Sequence, residues 1–526
     1  MDIAKYIALG AATAGMVGVG AYMARKKRED EEEEAVPIIR RESSALFFGA
    51  HLTPEERKIE EDKLKANLKQ EMINDIEALK TNSIVEVDHL TFWTDMPKEV
   101  SMSPLLFKAE ERDRLGMPPE CFVEPGTFCI KDFQFNNEDE LKDAKRYMKA
   151  GPKKYVFFKK EEVCAALVTC GGLCPGLNVV IREIVMTLWW CYKVHNIWGV
   201  RWGYHGFYGA GDNFVKLNPE KVKDIHQLGG SILGAGRDVF DAEKILDSIV
   251  AKGINQVYVI GGDGTHKGIQ GLANEVKKRK LKIALVGVPK TIDNDIQIID
   301  YSFGFSSAVQ AAVSAIESAN VEANCAENGI GLVKVMGRDV GHIAMHASLA
   351  SRDVNICLVP EFKFDINGEK GLLKYLFENR LKQKHHGVIV VAEGAALGVN
   401  DVRLVEEGKD PRTVDIGNWL KKQIEQYAKE NNHSIILKYI DPSYMIRTVP
   451  ANSADRQFCS VLAQNAVHGA MAGYTNFTCG IIRGISVNLP LHLVAEGQKN
   501  KLVYEDRGWQ RLLANTGQPP FRNDYP

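Results

Sequence analysis

The sequence predicts an α/β fold in which helices cover parallel β-sheets. From about Tyr155 onwards, short apolar runs rich in β-branched residues alternate with longer stretches of helical periodicity, which is typical of such sheets. Polar, glycine-rich motifs come directly after several of these runs, and ligands bind at that edge of an open α/β sheet. The predicted strands span residues 165–169, 257–260, 283–288, 331–335, 356–359 and 388–391.

Length and composition indicate a globular protein of several domains. A chain of 526 residues can bury a large core, and 45% hydrophobic with 25% charged residues is ordinary for this class. The net charge of −2 argues against a nucleic-acid partner. Ten scattered cysteines indicate a reducing compartment and small core residues. We predict an apolar segment with a charged tail over 1–40, an accessory region over 41–154, a two-lobed core over 155–484 and a C-terminal segment over 485–526.

The N-terminus carries an apolar stretch from Ile7 to Ala24, followed by four basic residues and a run of acids. About eighteen apolar residues is the lower limit for a membrane-spanning helix, and a basic cluster behind such a helix stays on the cytosolic side. The prediction is a cytoplasmic protein that this segment tethers to the cytosolic face of a membrane. A cleaved targeting segment and a disordered or docked tail are the alternatives.

The accessory region contains one predicted helix and a proline-rich part. A start signal at Thr53 precedes a charged, helical pattern that continues to Leu79. Between Asp88 and Phe133 the pattern is irregular and interrupted by prolines. We expect extended segments there that wrap the larger body.

Two motifs about thirty residues apart carry most of the chemistry. The first reads Gly-Gly-Asp-Gly-Thr over 261–265 and the second Pro-Lys-Thr-Ile-Asp-Asn-Asp over 289–295, each after an apolar run. Glycines let the backbone approach phosphate closely. Carboxylates hold Mg²⁺ and accept a hydroxyl proton, and a lysine offsets charge on a phosphoryl group. This inventory predicts phosphoryl transfer.

Each motif also has a purely structural interpretation. Asp263 is a candidate magnesium ligand, but an acid there can instead cap the following helix. Asp293 and Asp295 would share one face of a strand, so a turn that gives them separate tasks is favoured over a strand, with a plain Asx-rich turn as the alternative. The glycines from Gly171 to Gly176 suit a loop whose amides face phosphate beside a helix N-terminus, or a tight turn.

Six motifs in order make the chain resemble the 6-phosphofructokinase family, and most closely its ATP-dependent branch in plants and trypanosomatids. The resemblance runs from about Ala150 to about Gly484 and implies two Rossmann-like lobes with the active site between them. It rests on GGLCPGLNVVIREIV, INQVYVIGGDGT, PKTIDND, GIGLVKVMGR, VVAEGA and YIDPSYMIR.

The resemblance implies a role for each motif residue. Asp293 would take the proton from the C1 hydroxyl of fructose 6-phosphate as that oxygen attacks the γ-phosphorus of ATP. Thr291 would hold the moving phosphoryl group, and Asp263 with Asp295 would organise Mg²⁺. Lys290 and Arg338 complete the implied catalytic set. The implied ATP-binding residues are Gly171, Gly172, Tyr204, Arg237, Gly262, Asp263, Gly264 and Thr265. The implied substrate-binding residues are Thr291, Asp293, Met336, Gly337, Arg338, Glu393, Lys438, Tyr444 and Arg447.

Two positions bear on the phosphoryl donor. In the family, a glycine at the position of Gly264 leaves room for the α-phosphate of ATP, whereas an aspartate there favours pyrophosphate. Lys290 resembles the pyrophosphate enzymes, but the plant and trypanosomatid ATP enzymes combine this glycine with this lysine. The resemblance therefore implies ATP as donor. Asp238 and Asp339 depart from the relatives' patterns, as does Gly329, which stands where bacterial enzymes supply an arginine from a neighbouring subunit.

Three rival functions stay open at this stage. They are a pyrophosphate-dependent enzyme, a catalytically silent regulatory subunit that senses sugar phosphate, and a membrane-tethered scaffold. Asp263, Asp293 and Arg447 are all present, which argues against a silent subunit. The resemblance also implies an allosteric homotetramer of glycolysis, although no motif indicates its effectors.

Overall fold

The computed structural model describes residues 84–93, 101–105, 121–124, 126–131, 144–236, 240–400 and 410–524. The predicted membrane segment, the helix predicted from Thr53 to Leu79 and the residues Arg237 to Val239 lie outside these ranges. The chain divides into two units, 1–70 and 71–526, and all described residues belong to the second. None of the helices in these ranges combines the length and the apolar character that a bilayer span requires.

The described residues form sixteen strands in three sheets. In chain order they are β1 (Ile84–Val85), β2 (Ser101–Met102), β3 (Phe128–Ile130), β4 (Arg146–Lys149), β5 (Tyr155–Val156), β6 (Ala165–Thr169), β7 (Ile197–Val200), β8 (Phe214–Lys216), β9 (Gln256–Gly261), β10 (Ala284–Pro289), β11 (Gly329–Val335), β12 (Ile356–Leu358), β13 (His386–Ala392), β14 (Ile436–Ile440), β15 (Phe477–Ile482) and β16 (Ile485–Pro490).

Helices connect most of the parallel strands. Two π-helical segments, Thr187–Cys191 and Tyr375–Leu381, continue the α-helices before them. The α-helices of the described residues span Leu177–Met186, Pro219–Val222, Ala242–Ala251, Asp263–Lys278, Phe305–Asn324, His342–Ser351, Leu372–Lys374, Lys382–Lys384, Ile416–Glu430, Ser443–Thr448, Ser453–Met471, Leu491–Ala495 and Arg507–Thr516.

The largest sheet has ten strands and organises one lobe. Its centre is parallel, in the order β15–β10–β9–β6–β7. β6, β9 and β10 are buried along their whole length, as expected for strands with helices on both faces. Antiparallel β16 and β4 extend the sheet beyond β15.

A four-stranded sheet organises the second lobe. Its order is β12–β13–β11–β14, and every neighbouring pair is parallel. A separate hydrophobic cluster packs against this sheet, with Leu332, Ile389 and Leu420 among its buried members. Two lobes with their own parallel sheets follow from the alternation of strand and helix patterns, because a parallel connection needs a crossover segment, usually a helix.

The predicted α/β class is confirmed. Each of the six predicted strands is present, with ends displaced by at most two residues. The large sheet also takes strands from outside the predicted core: β4 precedes it, β16 follows it, and the short β1 and β3 both pair with β4. The third sheet joins β2 to β5.

Candidate active site

The carboxyl ends of neighbouring parallel strands bring the sequence motifs together. In the large sheet, β6, β9 and β10 are adjacent, so the loops at Gly171, Asp263 and Thr291 begin side by side. The amide of Lys290 donates to the carbonyl of Gly261 at 3.0 Å, which joins two of these loops directly. In the small sheet, β13, β11 and β14 are adjacent and end before Glu393, Met336 and Asp441.

A cleft of about 690 Å³ lies where these two sets of loops face each other. Glycine backbone forms one wall, and charged or polar side chains from the second lobe form the other. Its lining residues are Gly171, Gly172, Leu173, Ala235, Gly236, Lys334, Met336, Glu393, Asp441, Ser443, Tyr444 and Arg447. Such a cleft at strand ends is the usual position of a ligand in an α/β protein.

The segment from Thr291 to Asp295 folds as a turn, which matches the turn favoured from the sequence. The Thr291 hydroxyl accepts a hydrogen bond from the amide of Asp293 at 3.1 Å and donates to Asp295 Oδ1 at 3.2 Å. Asn294 has a φ of 56°, in the left-handed region that asparagine tolerates, and its Oδ1 accepts from the amide of Ser302 at 2.9 Å. The Thr291 hydroxyl thus contacts the backbone of Asp293 and the carboxylate of Asp295, so only the Asp295 carboxylate is held by Thr291.

The two aspartates of this turn have different environments. Asp295 is buried, and its Oδ2 lies 2.8 Å from the ammonium group of Lys499. Burial, followed by repulsion from Asp295, Glu393 and Asp339, raises the pKa of Asp293 to about 7, although Lys499 partly offsets the rise. A carboxylate that is costly to leave charged has a strong affinity for a proton, as a general base requires.

Asp263 is the first residue of the helix Asp263–Lys278. Gly262 holds the N-cap position and supplies no side-chain cap, so the predicted alternative of a capping aspartate does not apply. The Asp263 side chain is 40% exposed and lies 4.0 Å from Lys499. Burial and the neighbouring Asp295 raise its pKa, whereas Lys499 and Lys267 lower it.

Asp263 and Asp295 suit a metal ion whose remaining ligands come from water or from a bound phosphate. Within the described ranges, no group of three or more His, Cys, Asp and Glu side chains is arranged to hold a metal alone. Mg²⁺ usually keeps several waters and binds proteins through one or two carboxylates plus substrate phosphates. The half-exposed Asp263 fits this mode. Asp295 fits it less well, because both of its oxygens already have partners.

The glycine loops leave space beside their backbones. Gly171 has a φ of 81°, and a Cβ atom added there would lie 3.8 Å from Lys290 Nζ. At Gly264 an added Cβ would meet no atom within 4 Å among the described residues. Gly261 has no such room, since a Cβ would lie 2.3 Å from the Thr265 hydroxyl oxygen. The open space at Gly264 is consistent with its predicted influence on the donor.

The second lobe contributes a charged group that sequence reasoning missed. Lys334 lies in the apolar strand β11 and forms ion pairs with Asp441 at 2.8 Å and Asp415 at 3.1 Å. Burial raises the pKa of the adjacent Glu393, while Lys334 and Arg338 lower it. A lysine inside an otherwise apolar strand was the available signal, because such a position seldom carries a charge without a partner.

Arg447 lines this cleft and has one side-chain donor without a partner. Its Nε is buried and has no hydrogen-bond partner, and its guanidinium lies 4.8 Å from the ring centre of the exposed Tyr444. A buried guanidinium N–H without a partner is costly. Arg447 is therefore well suited to an anionic ligand, since guanidinium groups bind phosphate in a planar, two-bond geometry.

Several residues that were predicted to bind a substrate contact protein groups instead, are exposed or lie outside the described residues. The hydroxyl of Tyr204 donates to the carbonyl of Thr265 at 2.8 Å and so supports the loop that carries Asp263. Lys438 lies 3.4 Å from Glu322 and does not line the cleft. Arg338 is exposed, and Arg237 lies outside the described residues.

Comparisons with known proteins show which proteins this chain is similar to. The sequence profile of the family described as "Phosphofructokinase" matches residues 164–470. ATP-dependent 6-phosphofructokinase 7 of Arabidopsis thaliana is 50% identical over 411 residues, covering 76% of this chain and 84% of the relative. The ATP-dependent 6-phosphofructokinase of Borreliella burgdorferi is 46% identical over 404 residues, covering 74% and 89%. The crystal structure of pyrophosphate-dependent phosphofructokinase from Marinobacter aquaeolei superposes with a TM-score of 0.55 at 19% identity, covering 69% of this chain and 95% of that one, which shows the shared fold.

Proposed function

The chain belongs to the phosphofructokinase family, and from this premise we infer that it is an ATP-dependent 6-phosphofructokinase. It phosphorylates fructose 6-phosphate to fructose 1,6-bisphosphate, the reaction that commits the sugar to glycolysis. The observation that carries this inference is the cleft itself. It joins a glycine-walled space suited to phosphates with Glu393 and Arg447 on the opposite wall. Glu393 is also among the carboxylates that raise the pKa of Asp293.

Asp293 is the proposed general base. As the C1 oxygen of the sugar forms its bond to the γ-phosphorus, Asp293 accepts the hydroxyl proton and the bond to the leaving ADP oxygen breaks. The raised pKa of Asp293 supports this role. Thr291 and Lys290 are proposed to hold the moving phosphoryl group. Positioning and charge stabilisation supply most of the catalysis of phosphoryl transfer.

The nucleotide is proposed to lie along the first lobe. The backbone at Gly171 and Gly172 faces its phosphates, and the N-terminus of the helix that begins at Asp263 adds the favourable end of its dipole. Mg²⁺ bound with the nucleotide would offset the charge of the phosphate oxygens, and Asp263 is the residue best placed to hold it. Tyr204, Gly262 and Thr265 shape this side of the site.

The sugar phosphate is proposed to lie along the second lobe. Glu393 accepts hydrogen bonds from sugar hydroxyls, and Arg447 binds the 6-phosphate. Met336, Gly337, Arg338 and Tyr444 are the further proposed contacts, whereas Lys438, predicted from the family resemblance, pairs with Glu322 instead. A homotetramer is proposed from the family resemblance, and light scattering should give about four times the 58.5 kDa mass of one chain.

A donor assay tests the function. Purified full-length protein receives fructose 6-phosphate and Mg²⁺ with either ATP or pyrophosphate, and fructose 1,6-bisphosphate is quantified directly. Product with ATP alone is expected. Product with pyrophosphate alone would reverse the donor assignment and favour the second candidate, a pyrophosphate-dependent enzyme that Lys290 resembles. Absence of product with both donors would refute the activity.

A further inference from the structure

The C-terminal segment places a lysine among the site carboxylates. Lys499 lies beyond the range 164–470 that the family profile matches. Its Nζ is 2.8 Å from Asp295 Oδ2, 2.9 Å from Asp339 Oδ2 and 4.0 Å from Asp263 Oδ2. These three carboxylates follow three different strands, β10, β11 and β9. One cation therefore joins loops of both lobes.

The backbone beside Lys499 is held from both lobes. Lys499 forms an antiparallel bridge with Ile296, and the amide of Asn500 donates to the carbonyl of Asp295 at 2.8 Å. On the other side, His342 Nε2 donates to the carbonyl of Asn500 at 2.7 Å. These bonds fix the point from which the side chain of Lys499 starts, so its direction does not depend on its own ion pairs alone.

The next residues anchor the segment further. The amide of Leu502 donates to Glu361 Oε1 at 3.1 Å, and the Leu502 side chain is buried. Lys501, between the two anchored residues, is exposed. Lys499 is also partly exposed, at 36%, but it has three carboxylates within 4.0 Å. Among the described residues, Lys501 forms no ion pair.

The negative charge around Lys499 indicates a role for its ammonium group. Burial and the neighbouring carboxylates Asp295, Glu393 and Asp339 already disfavour the charged form of Asp293. A nucleotide and a sugar phosphate bring further negative charge to these carboxylates. A fixed cation at the centre of the aspartates lowers this repulsion for every anion that enters.

Resting on the proposed function, we propose that Lys499 is a positioning residue of the phosphoryl-transfer site. Its ammonium group orients Asp295 and Asp339 and balances their charge, so that the anionic substrates can approach Asp293. Lys499 lies 2.8 and 2.9 Å from Asp295 and Asp339 but 4.0 Å from Asp263. Asp263 is therefore the carboxylate best able to hold a metal ion that arrives with the nucleotide. Asp295, predicted from the family resemblance as a magnesium ligand, then acts through Lys499 instead.

The test compares K499M, K499R and the control K501M in the full-length chain. Binding of the non-hydrolysable analogue AMP-PNP with Mg²⁺ is measured by calorimetry, alongside kcat, KM and thermal unfolding. K499M should bind the nucleotide about tenfold more weakly or worse, K499R should retain more affinity because it keeps the charge, and K501M should match the wild type. A second variant, K499M/D339N, should recover part of the lost affinity by removing one of the charges that Lys499 balances.

The outcomes separate this inference from the proposed function. Wild-type affinity in K499M would overturn the inference, and so would tighter binding, which would mean that Lys499 blocks the cleft. A lower unfolding temperature with unchanged affinity would reduce Lys499 to a structural role and also overturn it. The binding measurements do not depend on turnover, so a wild-type protein that binds nucleotide but forms no fructose 1,6-bisphosphate refutes only the proposed function.

Discussion

At the scale of single residues, Thr291 explains how two aspartates so close in sequence can differ in role. Its hydroxyl accepts from the amide of Asp293 and donates to Asp295. This fixes Asp295 towards Lys499 and leaves the Asp293 carboxylate available for its proposed role as the base. The geometry predicts that the two aspartates are not interchangeable, because only one of them has its oxygens occupied by neighbours.

Replacement of Asp293 by serine should remove the proposed base while leaving the cleft walls in place. We expect kcat to fall by about 10²–10⁴-fold, the usual contribution of a general base, with KM values for both substrates much less affected. Steady-state kinetics of D293S measures this, with D212S at an exposed aspartate as the control. Near-normal turnover of D293S would show that another group accepts the proton.

Replacement of Gly264 by aspartate should move the donor preference towards pyrophosphate. A side chain added at this position meets no neighbouring atom, and in the proposed binding mode its charge and volume oppose the α-phosphate of ATP. The ratio of kcat/KM for pyrophosphate to that for ATP is the measurement. G264A adds only a methyl group and should remain an ATP-dependent enzyme; a G264D enzyme with the wild-type ratio would contradict the steric account.

At the scale of elements, helix ends hold the second wall of the cleft against the first lobe. The helix Phe305–Asn324 begins after Gly304, which has no side chain to cap it. Asp455, buried near the start of Ser453–Met471, caps it instead by accepting from the amides of Gly304 at 3.0 Å and Ser307 at 2.7 Å. One buried carboxylate thus links two long helices.

Removal of this buried cap should be costly. D455A leaves two buried amides without an acceptor, and we expect the free energy of unfolding to fall by about 3 kcal/mol. Asp241 caps the helix Ala242–Ala251 from an accessible position, and D241A should cost much less than D455A. Urea unfolding of both variants gives the comparison. Equal losses would mean that burial adds nothing to the cap at Asp455.

A buried histidine in the helix Ser453–Met471 should make the stability of the protein sensitive to acid. His468 is buried, its Nδ1 lies 2.7 Å from the Tyr192 hydroxyl, and burial lowers its pKa from 6.5 to about 4. The unfolded chain therefore binds a proton more readily than the folded chain between these pH values. The stability that His468 contributes is complete above about pH 6.5 and is lost as the pH falls towards 4.

Replacement of His468 by phenylalanine should flatten this dependence. Between pH 7.5 and pH 5 the wild type should lose about 2 kcal/mol more free energy of unfolding than H468F, measured by urea unfolding at each pH. H433N, at an exposed histidine, should behave like the wild type. An H468F protein with an unchanged pH dependence would place the acid sensitivity elsewhere.

At the scale of the whole molecule, the proposed active site combines residues from both lobes. The large sheet supplies Asp263 and Asp293, the small sheet supplies Glu393, and the helix Ser443–Thr448 supplies Arg447. The C-terminal segment then reaches back to both lobes through Lys499. Residues as far apart in the chain as Asp263 and Lys499 therefore lie together at the proposed site.

The apolar stretch from Ile7 to Ala24 is predicted to tether the protein to a membrane. Full-length protein should sediment with membranes after fractionation, and a form lacking residues 1–40 should remain in the supernatant, because the deletion removes the predicted tether and its basic cluster. Release of the full-length protein by high salt would indicate a peripheral contact instead. A full-length chain found wholly in the supernatant would count against the anchor.

Much of the fold and half of the site follow from the sequence by itself. Apolar runs such as 257–260 identify strands because a buried parallel strand has no polar face. The motifs that follow them indicate phosphate chemistry because their glycines and carboxylates lie within a few residues of one another in the sequence. The two motifs at 261–265 and 289–295 could be placed together without coordinates, since neighbouring parallel strands end at the same edge.

Only the tertiary structure decided which charges meet. Nothing in the local sequence distinguishes Lys499 from Lys501, since the two lysines differ only in which way the anchored backbone turns them. The pairing of Lys334 with Asp441, the cap that Asp455 supplies to a distant helix and the free donor of Arg447 likewise depend on contacts across the fold. Sequence determines local propensity, whereas electrostatic partnership depends on distances that only the packed lobes set.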